Sequence, residues 1–235
     1  MKTQKNLTLA VYNRIKEMML SYDIVPGQRL VFVDLANQLG VSRTPVNNAL
    51  SILANEGYLD FVPNQGYSVH KLTEDEANYL YEIREIFEIG AIGKAIRNMT
   101  DEALKIYEQR KRDYEKAISD RVHRRLFILD TEFHAGPIDM IGNPVLAERY
   151  RDICQKVFLR FRVEDLRIQR IRDTVGEHEE LFTAVSIRDV ELAKKLIKSH
   201  NQMTKKNLFP IIFQKETAER KIKPPIPSSR TGIAL

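Results

Sequence analysis

Apolar residues recur at helical spacing near the start of the chain. From Leu9 to Tyr22 they fall every three or four residues, which predicts a first amphipathic helix. Pro26 and Gly27 end this pattern with a turn. The segment from Asp34 to Leu39 predicts a short second helix, and Gly40 after it suits the left-handed conformation in which many helices end. The chain is therefore predicted to begin with two helices joined by a turn.

The next segment predicts a third helix and a hairpin. Ser42 is a residue type that caps helices, and after it apolar residues are spaced three and four apart while polar residues occupy another face. Two short apolar runs, 58–62 and 67–70, flank a turn sequence at 63–66, a pattern typical of a β-hairpin. Two helices, a turn, a third helix and a hairpin predict a winged helix-turn-helix domain over residues 1–72.

Beyond residue 72 the spacing is helical. Thr73 and Glu76 form a capping-box sequence that begins a long helix. Further helices are predicted to begin near Thr100 and Arg121, at Asn143 with Pro144 after it, at Thr174 with Glu177 as a second capping box, and at Asp189. Short loops favour an antiparallel all-α bundle over 73–213, and the aperiodic, Lys- and Pro-rich residues 214–235 predict a loose or partner-ordered tail. The predicted fold class is mainly α, a winged helix-turn-helix with a small β-hairpin wing followed by this bundle.

The composition agrees with a protein of two domains. The chain has 235 residues, more than one typical domain, and its 43% hydrophobic and 29% charged residues supply both a core and a solvated surface. No apolar run reaches the ~20 residues that span a bilayer, so we expect a cytoplasmic protein without a membrane partner. The single cysteine, Cys154, excludes an internal disulfide. The net charge of +5 is compatible with an anionic partner but does not by itself indicate one.

Polar side chains at the start of the third helix are suited to DNA. The major groove accommodates an α-helix whose first residues reach base edges and phosphates. Arginine can donate to guanine or phosphate, asparagine can pair with adenine, and a glycine at the wing tip allows close approach to the backbone. The residues predicted to contact DNA are Arg43, Thr44, Asn47, Asn48 and Gly66. Taken singly such side chains are more often a solvated helix face, but their place in a winged helix favours DNA binding.

A second candidate site combines one carboxylate with three imidazoles. Asp130 and His134 are four residues apart on one predicted helix, so both side chains point to the same side. His178 and His200 lie on two later helices. This set of ligands suits a divalent metal ion, with zinc, nickel and manganese equally compatible. The alternative is that the three histidines are separate interior or surface residues, which is more often true of a lone histidine.

Several motifs together resemble a known family. The sequence from Gly40 to Val46 and the wing at 62–69 resemble the DNA-binding domain of GntR-family bacterial regulators. The helical part is similar to the FCD subclass of that family in the placement of Asp130, His134, Glu177, His178 and His200, in Arg84-x-x-x-Glu88 and in Gly142-Asn143-Pro144. In one departure, Asn47 and Asn48 stand where the family usually has Arg-Glu, so the family's operator preference is not carried over.

The resemblance implies a homodimer that binds a palindromic double-stranded DNA operator and responds to a small effector. In the FCD subclass the effector is often a carboxylate, bound beside or directly on the metal. Arg84 and Arg162 are the candidate effector-binding residues, because a guanidinium matches two carboxylate oxygens; a salt bridge from Arg84 to Glu88 or another acid is the alternative. We interpret His70, at the end of the wing strand, and His123, in an exposed basic segment, as isolated histidines separate from the metal site.

Two other functions remain open on the sequence alone. A metal held by three histidines and a carboxylate can activate water, which would make the protein a metalloenzyme. The metal can instead be purely structural and tie three helices together. The regulator is the leading hypothesis, because a winged helix is an unusual companion for a hydrolase.

Overall fold

The protein is mainly helical, with one small antiparallel sheet near its N-terminus. The computed structural model describes residues 2–119, 123–161 and 168–222. In chain order the elements are α1 (Lys2–Leu20), β1 (Arg29–Leu30), α2 (Phe32–Leu39), α3 (Arg43–Asn55), β2 (Leu59–Val62), β3 (Gly66–Val69), α4 (Glu74–Asn98), α5 (Asp101–Ser119), α6 (His123–Met140), α7 (Pro144–Phe158), α8 (Ile168–Ser186) and α9 (Val190–Ile222). The predicted fold class, a winged helix followed by a helical domain, is confirmed.

The winged helix contains one strand that the sequence pattern missed. β1 pairs with β3, which also pairs with β2, so the sheet order is β1-β3-β2 with antiparallel neighbours. A strand of two residues is too short to show alternation. Gly40 ends α2 in the left-handed conformation, with φ of 65°, as predicted. Ser42 precedes α3 as predicted, but its side chain makes no capping hydrogen bond, so its predicted role as a cap is wrong.

The helical domain follows most of the predicted helix starts. Thr73 and Glu76 form the predicted capping box, and the Asn143 side chain caps α7 by accepting from two backbone amides. The predicted start at Thr174 is wrong, because α8 already includes Ile168. Thr174 is buried inside that helix. A Thr-x-x-Glu sequence is not specific to helix starts, and in α8 its glutamate contacts another helix instead.

The last helix is longer than the sequence pattern indicated. Asp189 caps α9 by accepting a hydrogen bond from the Leu192 amide at 2.9 Å. The helix continues to Ile222, so residues 214–222 are helical and not the loose tail that was predicted. Six of these nine residues are lysine, glutamate, alanine or arginine, which all have high helix propensity. The rest of the predicted tail, 223–235, lies outside the described residues.

One hydrophobic core joins the two domains. Leu50 of α3 and Tyr58 before β2 are fully buried in the same cluster as Phe158 at the end of α7 and Phe209 of α9. Polar contacts reinforce this packing. The Tyr58 hydroxyl donates to Asp152 at 2.9 Å, and Lys16 of α1 donates to Gln155 at 2.5 Å. The winged helix is thus packed directly against α7.

Close helix packing supports the inner part of the helical domain. The rings of Tyr107 on α5 and Phe133 on α6 stack with centroids 4.8 Å apart. Gly136 follows Phe133 by three residues, and a Cβ atom there would collide with the Tyr107 ring. A glycine is therefore required for α5 to approach α6, the helix that carries Asp130 and His134.

His70 links the wing to the helical domain. Its Nδ1 lies 2.7 Å from an Asp60 oxygen, and its Nε2 lies 3.0 Å from Glu76 Oε1. Arg160 donates to the same Glu76 oxygen at 2.9 Å. His70 lies at the end of the wing strand, as expected, but it is a contact between domains and not an isolated residue. The side chain of His123 lies outside the described part of the chain.

We expect Glu76→Gln to make the fold less sensitive to acid. Burial alone raises the pKa of the Glu76 carboxyl, but hydrogen bonds from His70 and the Thr73 amide, with the Arg160 charge, outweigh burial and lower this pKa to about 2. Because the folded pKa lies below the ordinary value of 4.5, ionised Glu76 stabilises the fold above about pH 4.5. This contribution is lost as the pH falls towards 2.

Chemical denaturation at a series of pH values measures this effect. Between about pH 5 and pH 2, the free energy of unfolding should fall more steeply in the natural protein than in Glu76→Gln. Glu74→Gln is the matched control, since Glu74 lies in the same helical turn and is exposed. It should retain the natural slope. Equal slopes for all three proteins would contradict the assignment.

Candidate metal centre and DNA-binding face

The four predicted metal ligands come together between three helices. Asp130 and His134 lie on α6, His178 on α8 and His200 on α9, and one ligand atom from each lies within 4.8 Å of the others. His134 Nε2 and His200 Nε2 are 3.1 Å apart, and His178 Nε2 is 3.3 Å from Asp130 Oδ1. Residues up to 70 positions apart thus form one cluster, as their types and order indicated.

Glu177 orients one imidazole of this cluster. Its carboxylate lies 2.6 Å from Nδ1 of His200. An Nδ1 proton donated to this carboxylate leaves the Nε2 lone pair of a neutral ring directed at the cluster. Sequence reasoning assigned Glu177 to a helix cap and included it in the family resemblance, but it did not predict this contact with His200. No local pattern signals it, because it depends on how α8 packs against α9.

The charge states of the cluster are those that bind metal. Burial and the positive charge of Arg84 lower the pKa of His134 well below its ordinary value, and burial lowers the pKa of His178 to about 4. Burial raises the pKa of Asp130, but the charge of Arg84 and the nearby imidazoles outweigh burial and lower this pKa well below its ordinary value. At neutral pH the cluster therefore offers an ionised carboxylate and neutral rings at His134 and His178, the forms that coordinate metal ions.

His178 provides a direct test of whether the residues fit a metal ion. Its side chain is 1% exposed, Nδ1 has no hydrogen-bond partner among the described residues, and Nε2 lies 3.3 Å from an Asp130 oxygen. A buried ring nitrogen without a partner is rare and needs an explanation. A divalent ion shared by the four residues would bind one of the two ring nitrogens. The ligand set of three nitrogens and one oxygen fits zinc, nickel or manganese.

Arg84 lies beside the cluster and carries an unpaired donor. Its Nε donates to Glu88 at 2.8 Å and its Nη1 to Asp130 at 3.3 Å. Glu88 also accepts from the Tyr150 hydroxyl at 2.5 Å and from the Asn201 amide at 3.0 Å. The salt bridge considered as an alternative role for Arg84 is therefore present. Its Nη2 is nevertheless buried and has no hydrogen-bond partner among the described residues.

The other candidate effector residue cannot be placed. Arg162 lies outside the described residues. Sequence reasoning also missed the residues that hold Glu88, the carboxylate that accepts from Arg84, in place. Tyr150 on α7 and Asn201 on α9 are both buried against Glu88. An isolated tyrosine or asparagine on a helical pattern carries no signal for such a role, since only the packing of α4, α7 and α9 brings them together.

The predicted DNA-contacting residues of α3 lie on one exposed face. Arg43, Thr44, Asn47 and Asn48 are all exposed, while Val46 and Leu50 on the opposite side of this helix are buried. None of these four side chains hydrogen-bonds to another described residue, so they are available to a partner. Gly66 begins β3 next to the wing turn with φ of 86°, a conformation that favours glycine.

A winged helix with a free polar face, joined to a helical domain that carries a buried ligand cluster, defines a class of DNA-binding regulators. Residues 7–69 match the family model described as bacterial regulatory proteins of the gntR family, and residues 79–203 match the model of the FCD domain. The chain belongs to the GntR family and carries an FCD domain. It is a DNA-binding transcriptional regulator.

Two relatives of similar sequence bear the names of regulators. The chain is 29% identical over 196 residues to the HTH-type transcriptional regulator YdhC of Bacillus subtilis, covering 82% of this chain and 86% of YdhC. It is 33% identical over 143 residues to the Nta operon transcriptional regulator of Aminobacter aminovorans, covering 60% and 66% of the two chains. These names are those of regulators and lend no support to the metalloenzyme alternative.

The fold is also found in solved structures. The structure of McbR/YncC from E. coli superposes on this chain with a TM-score of 0.76 at 23% sequence identity, and the match covers 86% of this chain and 97% of McbR/YncC. A second, a GntR regulator from Rhodococcus sp. RHA1, has a TM-score of 0.75 at 20% identity, with 86% and 97% covered. Among the described helices, none combines the length and the apolar character needed to span a bilayer.

Proposed function

We propose that this regulator is a cytoplasmic homodimer that binds a palindromic operator and responds to a small carboxylate held beside a divalent metal ion. One observation carries the proposal. Four metal-type ligands, one of them the buried His178 ring, converge next to Arg84 Nη2, a buried donor that lacks a partner among the described residues. A metal ion would bind the four ligands, and a carboxylate would accept from Arg84 Nη2.

The residues divide between metal and effector. Asp130, His134, His178 and His200 would hold the ion, which when bound acts as a Lewis acid for a carboxylate oxygen. Arg84 would donate from Nη2 to the other oxygen, while its Nε and Nη1 remain on Glu88 and Asp130. These two anchors orient the guanidinium before the ligand arrives, which reduces the entropy lost on binding.

The cavity beside Arg84 offers a route from effector to DNA. Thr131 and Phe158 line this cavity and also line a second space of about 370 Å³ between α1 and helices α6 and α7. Phe158 belongs to the core that joins the winged helix to α7. A ligand that displaces Phe158 therefore changes the surface against which α1 packs, and this would bias the position of the DNA-binding domain.

Dimer formation is proposed through the outer face of α4. Tyr79, Ile83 and Ile86 are spaced four and three residues apart and are 62%, 38% and 60% exposed. Gly90 continues this stripe and has open space around it. Exposed apolar patches mark interaction surfaces, and a two-fold symmetric operator requires a second copy of the same chain. A second copy is therefore the partner that this face fits.

We expect Ile86→Glu to weaken the dimer by at least tenfold, because a carboxylate buried at a symmetric interface meets its own copy. Sedimentation equilibrium over a range of protein concentrations measures the effect. Val145→Glu is the matched control, since Val145 is 63% exposed on α7. It should leave the dimer unchanged. A dimer of natural affinity in Ile86→Glu would place the interface elsewhere.

The experiment that tests the whole proposal combines three measurements on purified protein. Metal analysis gives occupancy, calorimetry with a panel of small carboxylates tests the effector site, and gel shift with the chain's own promoter region tests the operator. If the protein binds metal to saturation but binds none of the carboxylates, this would favour a structural metal that ties α6, α8 and α9 together. Binding to DNA that is sensitive to salt but indifferent to sequence would remove support for operator recognition.

We expect Glu177→Gln to weaken metal binding by about 10- to 100-fold without abolishing it. Glutamine keeps the shape of the side chain but removes the charge that holds the Nδ1 proton of His200. Competition titration with a metal-binding dye measures the affinity. Glu179→Gln is the control, since Glu179 is an exposed residue of the same helix and is outside the cluster. Equal affinities in both variants would contradict the orienting role.

A further inference from the structure

The ring of His70 lies between two carboxylates that belong to different domains. Asp60 is on β2, at the base of the wing, and its Oδ1 is 2.7 Å from His70 Nδ1. Glu76 is in the first turn of α4, and both of its carboxylate oxygens are 3.0 Å from His70 Nε2. His70 itself follows β3 and precedes α4, so it belongs to the segment that connects the two domains. Its side chain thus forms a bridge from the wing to the helical domain.

This bridge is complete only when the ring carries a proton on each nitrogen. An ionised carboxylate only accepts hydrogen bonds, so both ring nitrogens must donate. A neutral imidazole has one N–H group, and its other nitrogen would direct a lone pair at a carboxylate oxygen. Whichever nitrogen keeps the proton, the contact with Asp60 or the contact with Glu76 is lost. Only the protonated ring of His70 joins the two carboxylates.

The charges around the ring favour this protonated form. Arg160, which follows α7 and is buried, donates to Glu76 Oε1 at 2.9 Å. The pKa of Glu76, about 2, keeps this carboxylate ionised at neutral pH. The two carboxylates therefore face one fixed positive charge, and a proton on the His70 ring supplies the second. Lys71, the next residue of the chain, is exposed, so water screens its charge from the ring.

The bridge acts at the base of a DNA-binding element. The wing is the hairpin of β2 and β3, in which Leu59 pairs with Val69 at the base and Val62 pairs with Gly66 beside the turn. Because the strands are paired along their length, a contact at the base sets the direction of the whole hairpin. A wing that is held in one orientation before DNA arrives loses less conformational entropy on binding.

We propose that His70 is a positioning residue for DNA binding, whose protonated ring ties the wing to α4, so that the affinity for DNA falls as the pH rises from about 6 to about 8. Histidine is the side chain whose charge ordinarily changes in this interval. His70 acts through the wing and need not touch the DNA. The proposal goes beyond the proposed function, since it requires only that the protein binds DNA and involves neither metal nor effector.

Fluorescence anisotropy with a fragment of the chain's own promoter region tests the proposal on the full-length protein at constant salt. We expect the natural protein to bind about fivefold more weakly at pH 8 than at pH 6, a factor at the lower end of those found for coupled sites. His70→Gln, whose side chain takes up no proton, should lose this change and bind weakly at both pH values. His70→Lys keeps a positive charge and should bind as tightly at pH 8 as at pH 6.

Hydrogen exchange without DNA measures the bridge itself. At pH 6 the amides of β2 and β3 should exchange about fivefold more slowly in the natural protein than in His70→Gln, because the bridge opposes local opening of the hairpin. At pH 8 the two proteins should exchange alike. Comparison at the same pH removes the effect of pH on the exchange chemistry.

A second pair of variants separates the bridge from the charge of the ring. Asp60→Ala removes one end of the bridge while His70 still titrates, and it should lose the pH dependence of DNA binding. Glu74→Ala is the matched control, since Glu74 is an exposed carboxylate in the same helical turn as Glu76. It should keep the pH profile of the natural protein.

Three results would overturn the proposal. The first is a natural pH profile in His70→Gln. The second is the same profile in Asp60→Ala, because His70 would then act by its charge alone. The third is an affinity that rises with pH only when His70 is present, because the bridge would then hold the wing away from DNA. If no protein prefers the promoter fragment to a random duplex, operator recognition loses support, while the exchange measurement and the binding to either duplex still decide the role of His70.

Discussion

Replacing His178 with alanine is expected to abolish stable metal binding. The variant loses one of four ligand atoms that lie within 4.8 Å of one another, and the remaining three cannot enclose the ion as completely. Substitution of a residue that only orients a metal ligand lowers the metal affinity by about 10- to 100-fold. The loss in His178→Ala should be larger, because a ligand itself is removed. Metal analysis after dialysis measures occupancy, and the increase of the thermal midpoint on adding Zn²⁺, Ni²⁺ or Mn²⁺ should disappear.

Two further variants make this result interpretable. His178 also stacks on Phe133 with ring centroids 4.1 Å apart, so alanine removes packing as well as a ligand. Asp130→Asn keeps the side-chain shape, removes the charge of the ligand and should also lose the metal. His70→Ala is the matched control, since His70 is bonded to Asp60 and Glu76 and lies outside the cluster. Full metal occupancy in both His178→Ala and Asp130→Asn would overturn the assignment of the site.

Replacing Arg43 with alanine is expected to lower the affinity for the operator by about tenfold to a hundredfold. Arg43 begins α3 on its exposed face and hydrogen-bonds to no other described residue, so the variant should fold normally. A guanidinium that contacts a base edge contributes to affinity and to discrimination between sequences. Fluorescence anisotropy with a fragment of the chain's own promoter and with a random duplex of equal length measures both.

The comparison of the two duplexes distinguishes the kinds of contact. Loss on the promoter fragment alone indicates a base contact, whereas equal loss on both indicates a phosphate contact. Arg97→Ala is the control, since Arg97 is an exposed arginine of the helical domain, in the last turn of α4. It should bind both duplexes as the natural protein does. Unchanged binding by Arg43→Ala would contradict the role of the α3 face.

The two variants also separate the halves of the molecule. His178→Ala should retain binding to the promoter fragment while losing any response to metal and carboxylate, provided that the metal does not hold the DNA-binding domain in place. Arg43→Ala should retain metal and lose the operator. The shared core of Leu50, Phe158 and Phe209 is the structural reason to measure both properties in both proteins, because the two domains are packed together.

Local patterns were sufficient for most of the secondary structure. Gly40, the Thr73 capping box and the Asn143 cap all have the predicted conformations, because each depends on hydrogen bonds within a few residues of the chain. Two local predictions were wrong for related reasons. Ser42 lies at a helix start but does not use its side chain, and Thr174 belongs to a sequence that is typical of helix starts but lies inside α8.

The candidate metal residues were predictable by a different route. The i, i+4 spacing of Asp130 and His134 puts them on one side of a helix, but nothing in periodicity connects them to His178 and His200. The resemblance to a family supplied that connection. The structure then brought the four side chains together, since α6, α8 and α9 pack against common neighbours.

The sequence by itself determined the winged helix and the helical domain, because these follow from spacing along the chain, and its resemblance to a family identified the four clustered residues. Only the tertiary structure decided which groups near the cluster lack a partner and what surrounds them. Burial leaves Arg84 Nη2 and His178 Nδ1 without hydrogen-bond partners among the described residues, and the packing of α4, α6 and α7 places an apolar wall beside Arg84. Such properties depend on side chains far apart in the chain, which no local pattern specifies.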